Sequence, residues 1–203
     1  TNYIKRRTIM KNKSNILLLT LHTVCLCIVG SLIIGIISSI GLFKSLIQEY
    51  NLMFMLNSPF FIFFAVIIAP LWEEFIFRKI IFDFLKKKTR FYNFIQAAIF
   101  SIIHWNPIQS IYTFFFGIFM GNVKDLTGST WKTIYLHIIF NLTGIYYPLV
   151  IQNLYTNSSS FHANTGIIIS GLIFIPFILF FITLKMMGKG MYRFVKDKNS
   201  IID

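Results

Sequence analysis

Apolar residues run in long blocks along the chain, Ile16 to Ile40, Pro59 to Leu85, Phe91 to Trp105, Gln109 to Val123, Trp131 to Ile151 and Asn164 to Lys185, with polar or basic residues between them. The longer blocks reach the roughly 20 apolar residues that a membrane-crossing helix needs. Asn106-Pro107 breaks the pattern, because proline cannot continue a helical hydrogen-bond ladder, so 91–123 is read as a hairpin of short helices. Leu42 to Asn57 mixes apolar residues with Lys44, Gln48, Glu49 and Asn51, which suggests an interfacial helix or a re-entrant connection. The first block follows Lys5, Arg6, Arg7, Lys11 and Lys13. It exceeds the 7 to 15 residues of a secretory h-region and lacks an A-x-A-like cleavage site, so it reads as a retained helix. The pattern predicts an all-α polytopic membrane helix bundle of about six transmembrane segments. It forms a single membrane domain over 16–185 between basic tails at 1–15 and 186–203, with no internal repeat and no soluble domain.

Composition agrees: 56% of the 203 residues are hydrophobic, 13% are charged and 24 are Phe, with a mean hydropathy of +0.70. Such a chain is too apolar for a soluble domain. The net charge of +12 does not point to nucleic acid, because the basic residues lie in short runs flanking apolar blocks and no nucleic-acid-binding motif is present. Their placement is a positive-inside pattern. With the amino terminus cytoplasmic, the N-tail, Lys86 to Arg90, Lys124 with Lys132, and the C-tail all face the cytoplasm, leaving Lys44 outside. Both termini are therefore expected to be cytoplasmic. Cys25 and Cys27, two apart on one helix, point in different directions and read as small apolar residues.

Three polar clusters interrupt the apolar blocks: Glu73-Glu74 with Arg78, Phe100 with His104, and His137 with Asn141. An ionisable group at membrane depth is costly without partners, which makes each cluster a functional-site candidate. Residues four apart share a helix face, so Glu74 can pair with Arg78, leaving Glu73 for chemistry; the reverse assignment is also open. Counted from the cytoplasmic helix ends at about 1.5 Å per residue, Glu73 lies roughly 15 to 20 Å deep, His104 roughly 20 Å, Asn141 roughly 15 Å and His137 nearer 10 Å. Three helices thus put polar groups in one band of the bilayer. A carboxylate, imidazoles, a carboxamide and a guanidinium in a water-poor cavity suit hydrolysis, with a carboxylate taking a proton from water and donors stabilising an oxyanion. A rival arrangement makes Glu73, His104 and His137 ligands of a catalytic zinc, without the compact H-E-x-x-H signature.

The ordered set E-E-x-x-x-R, F-x-x-x-H and H-x-x-x-N resembles the CAAX-processing and bacteriocin-processing (CPBP, also called Abi) intramembrane endopeptidases. Glu73, Glu74, Arg78, Phe100, His104, His137 and Asn141 match every defining position, and the resemblance covers about Pro59 to Ile151. It implies an all-helical membrane protease in which Glu73, aided by His104, activates water, His137 and Asn141 form the oxyanion hole, and Glu74 with Arg78 supports them. No cofactor is expected, with zinc as the alternative. The expected partners are a membrane peptide or small membrane-protein substrate and the lipid bilayer, in a bacterial plasma membrane; the relatives' roles include bacteriocin immunity and peptide pheromone maturation.

A second reading is a noncatalytic membrane scaffold or immunity protein that binds a membrane partner on a protease-like framework. A transporter fits less well, since paired helical repeats are missing. His22, without acidic company, reads as structural, and His162 as a solvated loop residue. Lys79 and Asp83 are expected to pair at i, i+4. Trp72 and Trp105 flank the clusters and are expected to pack in the core.

Overall fold

The computed structural model describes residues 15–39, 58–105, 107–156 and 170–185. These residues are helical apart from short turns and contain no strand. The helices are α1 (Ile16–Ser39), α2 (Pro59–Lys86), α3 (Tyr92–Ile102), α4 (Pro107–Thr127), α5 (Thr130–Thr156) and α6 (Ser170–Lys185). The segment expected over 42–57, both basic tails and His162 lie outside the described residues. Among the described residues three stretches are long and apolar enough to cross a membrane, Ile16–Ile36, Pro59–Lys86 and Thr130–Leu154. The protein is a polytopic helical membrane bundle. The six helices fall on the six apolar blocks, but α3, with 11 residues, is only about 16 Å long against a hydrocarbon layer of about 30 Å.

The chain divides into two compact units, residues 30–142 and residues 1–29 with 143–203. In the second of these, His22 Nδ1 lies 2.7 Å from Thr183 Oγ1 and its ring stacks on Phe180 at 5.2 Å. That gives His22 the structural role expected of it. Tyr147 donates its hydroxyl to the Leu172 carbonyl at 3.3 Å. Cys25 and Cys27 are buried and not joined in a disulfide, as small apolar residues would be.

The unit 30–142 holds all three polar clusters. Helix α2 starts where the sequence says it should: Ser58 accepts the Phe61 N–H, and Pro59 takes the first turn, where a missing N–H does no harm. Inside α2 the winding loosens twice, over Phe64–Ile68 and Phe75–Ile81, into π-helix. Glu73 and Glu74 sit on the α-helical turn Ala69–Glu74 between these stretches. Widened turns of this kind commonly mark functional sites.

Helices α3 and α4 form the expected hairpin, with α4 running longer than the apolar block suggested because its polar end remains helical. Trp105 makes the corner with a left-handed φ of 54°, a conformation costing about 1–2 kcal/mol for an L-residue. Gly128, at φ 68°, closes α4 with its N–H on the Lys124 carbonyl at 2.8 Å, the usual glycine stop. The two helices approach closely at a G-x-x-x-G step. A Cβ on Gly117 would stand 3.0 Å from Ala97 Cβ, and one on Gly121 would stand 1.8 Å from Asn93 Oδ1. Small residues at such spacing let membrane helices bring their backbones together. Trp72 and Trp105 depart from the expected core packing: they are 63% and 91% exposed. Trp72 lies on an exposed face of α2, and Trp105 lies beyond the end of α3.

Candidate functional site

The two adjacent glutamates occupy different surroundings. About 100° apart on the helix, Glu74 points inward and is fully buried, whereas the Glu73 side chain is 27% exposed. Arg78, one turn further on, is equally buried and brings Nε to 3.2 Å from Glu74 Oε2. This is an ion pair without an aligned hydrogen bond, since neither atom has a hydrogen-bond partner. Two further contacts hold the guanidinium. Its Nη1 donates to Gln96 Oε1, and its Cζ lies 4.9 Å from the centre of the Phe100 ring, within cation–π range.

Gln96 is the site's link to the α3–α4 hairpin. Fully buried, it donates Nε2 to the Asn93 carbonyl (3.0 Å), Asn93 Oδ1 (2.8 Å) and the Gly117 carbonyl (3.0 Å). Asn93 in turn donates to the Ile118 carbonyl at 3.1 Å and Asn122 Oδ1 at 2.9 Å. A buried polar network needs this degree of satisfaction to be tolerated. None of Asn93, Gln96 or Asn122 lies in the three motifs. Their signal was available, as carboxamides at i, i+3 on a short apolar helix facing a G-x-x-x-G step.

His137 brings the clusters together. Its Nδ1 lies 2.9 Å from Glu74 Oε1, and its Nε2 stands 3.6 Å from Glu73 Oε2. A carboxylate paired with Arg78 is an acceptor, so Nδ1 carries the proton and donates. Phe116 meets the imidazole edge-on at 5.0 Å, and Phe100 at 6.0 Å. Phe100, fully buried, also meets His104 at 4.8 Å and Phe77 at 5.1 Å. One ring thus spaces the two histidines.

His104 lies in the turn that follows α3, half-buried. Its Nδ1 is 2.7 Å from the Phe100 carbonyl oxygen. A carbonyl only accepts, so Nδ1 is the protonated nitrogen, and the lone pair of the neutral ring lies on Nε2. Asn141, one turn beyond His137 on α5, donates Nδ2 to the Ala65 carbonyl at 2.9 Å. The structure therefore pairs Glu74 with Arg78 as the spacing suggested. It also sets Glu73 beside His137, with Nε2 and Oε2 3.6 Å apart. Lys79 and Asp83 pair at 3.9 Å on the exposed face, also as expected.

Among the described residues no three His, Cys, Asp or Glu side chains cluster as metal ligands. Glu73, His104 and His137 do not assemble in that way.

The stretch that carries this site is similar to known proteins. Residues 55–143 match the model described as type II CAAX prenyl endopeptidase Rce1-like. A curated protein named "Putative membrane peptidase YdiL", from Bacillus subtilis (strain 168), is 33% identical over 85 residues, covering 41% of this chain and 35% of that protein. The chain thus spans about a third of the length of the curated relative it matches. No solved structure matches. All seven motif residues, from Glu73 to Asn141, fall within 55–143. Over that stretch the chain is similar to the Rce1-like CAAX endopeptidases, in line with the CPBP resemblance of its motifs.

Proposed function

We propose that this protein is an intramembrane endopeptidase that hydrolyses a peptide bond of a membrane-associated peptide or small membrane protein with water activated by Glu73. The observation that carries the reading is the unequal pair of glutamates. Glu74 is buried and committed to Arg78 and His137, while Glu73 keeps an accessible carboxylate 3.6 Å from His137. Adjacent carboxylates with opposed environments are a usual way to separate support from chemistry.

In this mechanism Glu73 takes a proton from water as the oxygen attacks the scissile carbonyl, and later passes it to the leaving amine. His104, with Nε2 as acceptor, orients the same water. His137 donates Nε2–H to the developing oxyanion and carries both ring protons when it does so. Glu73, Glu74, Arg78 and His137 then amount to two negative and two positive charges, which a low-dielectric site accommodates better than an excess of either sign. Asn141 has a second N–H beyond the one given to Ala65, and it supplies the other oxyanion donor.

The substrate is a peptide held at the membrane of a bacterial cell, with bacteriocin immunity or pheromone processing as the setting, and both termini face the cytoplasm. No cofactor takes part. The test is Glu73→Gln in purified protein with a membrane peptide. Cleavage should fall about 10²–10⁴-fold, the usual contribution of a general base. A cellular phenotype that survives the substitution at unchanged expression would instead favour a noncatalytic scaffold.

A further inference from the structure

Helix α2 contains a proline in its interior, and its consequence reaches α5. Over Phe64–Ile68 the backbone is π-helical, and the Ala69 N–H bonds the Phe64 carbonyl, five residues back. In that register the next donor, residue 70, would serve the Ala65 carbonyl. Residue 70 is Pro, which has no N–H. Ala69 is already spent on Phe64, so Ala65 is left without a donor from its own helix. In a membrane interior an unpaired carbonyl is costly, because water is not there to satisfy it. The donor that arrives is Asn141 Nδ2, at 2.9 Å.

We propose that Pro70 is a positioning residue: by withholding an N–H it opens the Ala65 carbonyl as a fixed acceptor, and that acceptor anchors the Asn141 carboxamide. The role assigned to Asn141 in peptide hydrolysis rests on the function proposed above, whereas the anchor itself does not. The bond uses one N–H of the carboxamide and fixes its plane, which leaves the second N–H aimed in one direction. It also ties α2, at Ala65 eight residues before Glu73, to α5, one turn beyond His137. A single missing donor thereby sets the register between the helix carrying the glutamates and the helix carrying His137. Asparagine suits the task because a carboxamide has two donors on one nitrogen. Aspartate at 141 would face the Ala65 carbonyl with acceptors alone.

Ala65-Val66 is the sole Ala-Val step in the sequence, so labelling with 13C-carbonyl alanine and 15N-valine isolates the Ala65 carbonyl resonance in the full-length chain in detergent. Asn141→Ala is expected to move that resonance upfield, as a lost hydrogen bond does. Pro70→Ala restores a backbone donor, and in that background Asn141→Ala should leave the resonance in place and lower the melting temperature less. Pro70→Ala alone serves if Asn141→Ala does not fold: its new donor replaces the carboxamide and shifts the same resonance. In a preparation that cleaves peptide, Pro70→Ala should lower kcat about tenfold, with KM within about twofold, as a misplaced donor would. An Ala65 resonance indifferent to both substitutions, or an Asn141→Ala effect equal in both backgrounds, overturns the anchor. A chain that shows the coupling but cleaves nothing overturns the proposed activity and leaves the anchor standing.

Discussion

His137 donates Nδ1–H to Glu74 Oε1 across 2.9 Å, so the second glutamate of the pair is tied to α5 as well as to Arg78 on its own helix. Two cations or donors on one fully buried carboxylate make Glu74 a structural centre. Glu73, the neighbouring carboxylate, is part-exposed and meets this centre at His137 Nε2, 3.6 Å away.

The two glutamates should therefore fail differently. Glu74→Gln removes the charge opposite Arg78 and leaves a buried guanidinium uncompensated, with an expected loss of about 3–5 kcal/mol of stability. Glu73→Gln should change stability by less than about 1 kcal/mol, as expected away from buried networks. Thermal unfolding in detergent, followed by circular dichroism, compares them. Equal destabilisation would contradict the division of roles.

Gln96 is expected to matter as much as a motif residue. Gln96→Leu strips Arg78 Nη1 of its acceptor and the Gly117 carbonyl of a donor, where Arg78 and Gln96 are both fully buried. Each orphaned buried group costs about 1–3 kcal/mol. Unfolding midpoints should drop for Gln96→Leu and fall less for Gln96→Glu, which keeps an acceptor for Arg78.

Close packing of α3 on α4 gives a graded test. Gly121→Ala places a methyl group against Asn93 Oδ1 and should cost about 1–3 kcal/mol, the range for overpacking. Gly117→Ala meets Ala97 Cβ at 3.0 Å and should cost less. The reverse order would mean that the hairpin packs elsewhere.

His104 should separate activity from stability. It is half-buried, and its Nδ1 is hydrogen-bonded to the backbone carbonyl of Phe100. His104→Ala should lower cleavage about 10²–10⁴-fold while moving the melting temperature little. Phe100→Ala, which empties a fully buried position between both histidines, should cost about 3–5 kcal/mol.

Contacts within one helix were legible in the sequence, because i, i+4 spacing fixes them. Glu74 with Arg78, Lys79 with Asp83 and Phe100 with His104 all meet as spacing requires. Contacts between helices were legible only as a shared depth. Which glutamate His137 would face depends on the rotation of α2, and two π-helical stretches alter that rotation without any change in apolar pattern. Pro70 was the visible clue to the first of them. The same limit explains Trp72 and Trp105: an apolar aromatic reads alike whether it packs inward or lies on the outer face of a membrane helix. Asn93 and Gln96 escaped notice because carboxamides carry no charge to mark them as costly.

The most direct measurement is mass spectrometry of a membrane peptide incubated with purified wild-type chain and, separately, with Glu73→Gln at matched melting temperature. The expected result is two complementary fragments from the wild type, their masses summing to the peptide plus one water, and intact peptide with the variant. Fragments at the wild-type rate from Glu73→Gln would contradict Glu73 as the residue that activates water.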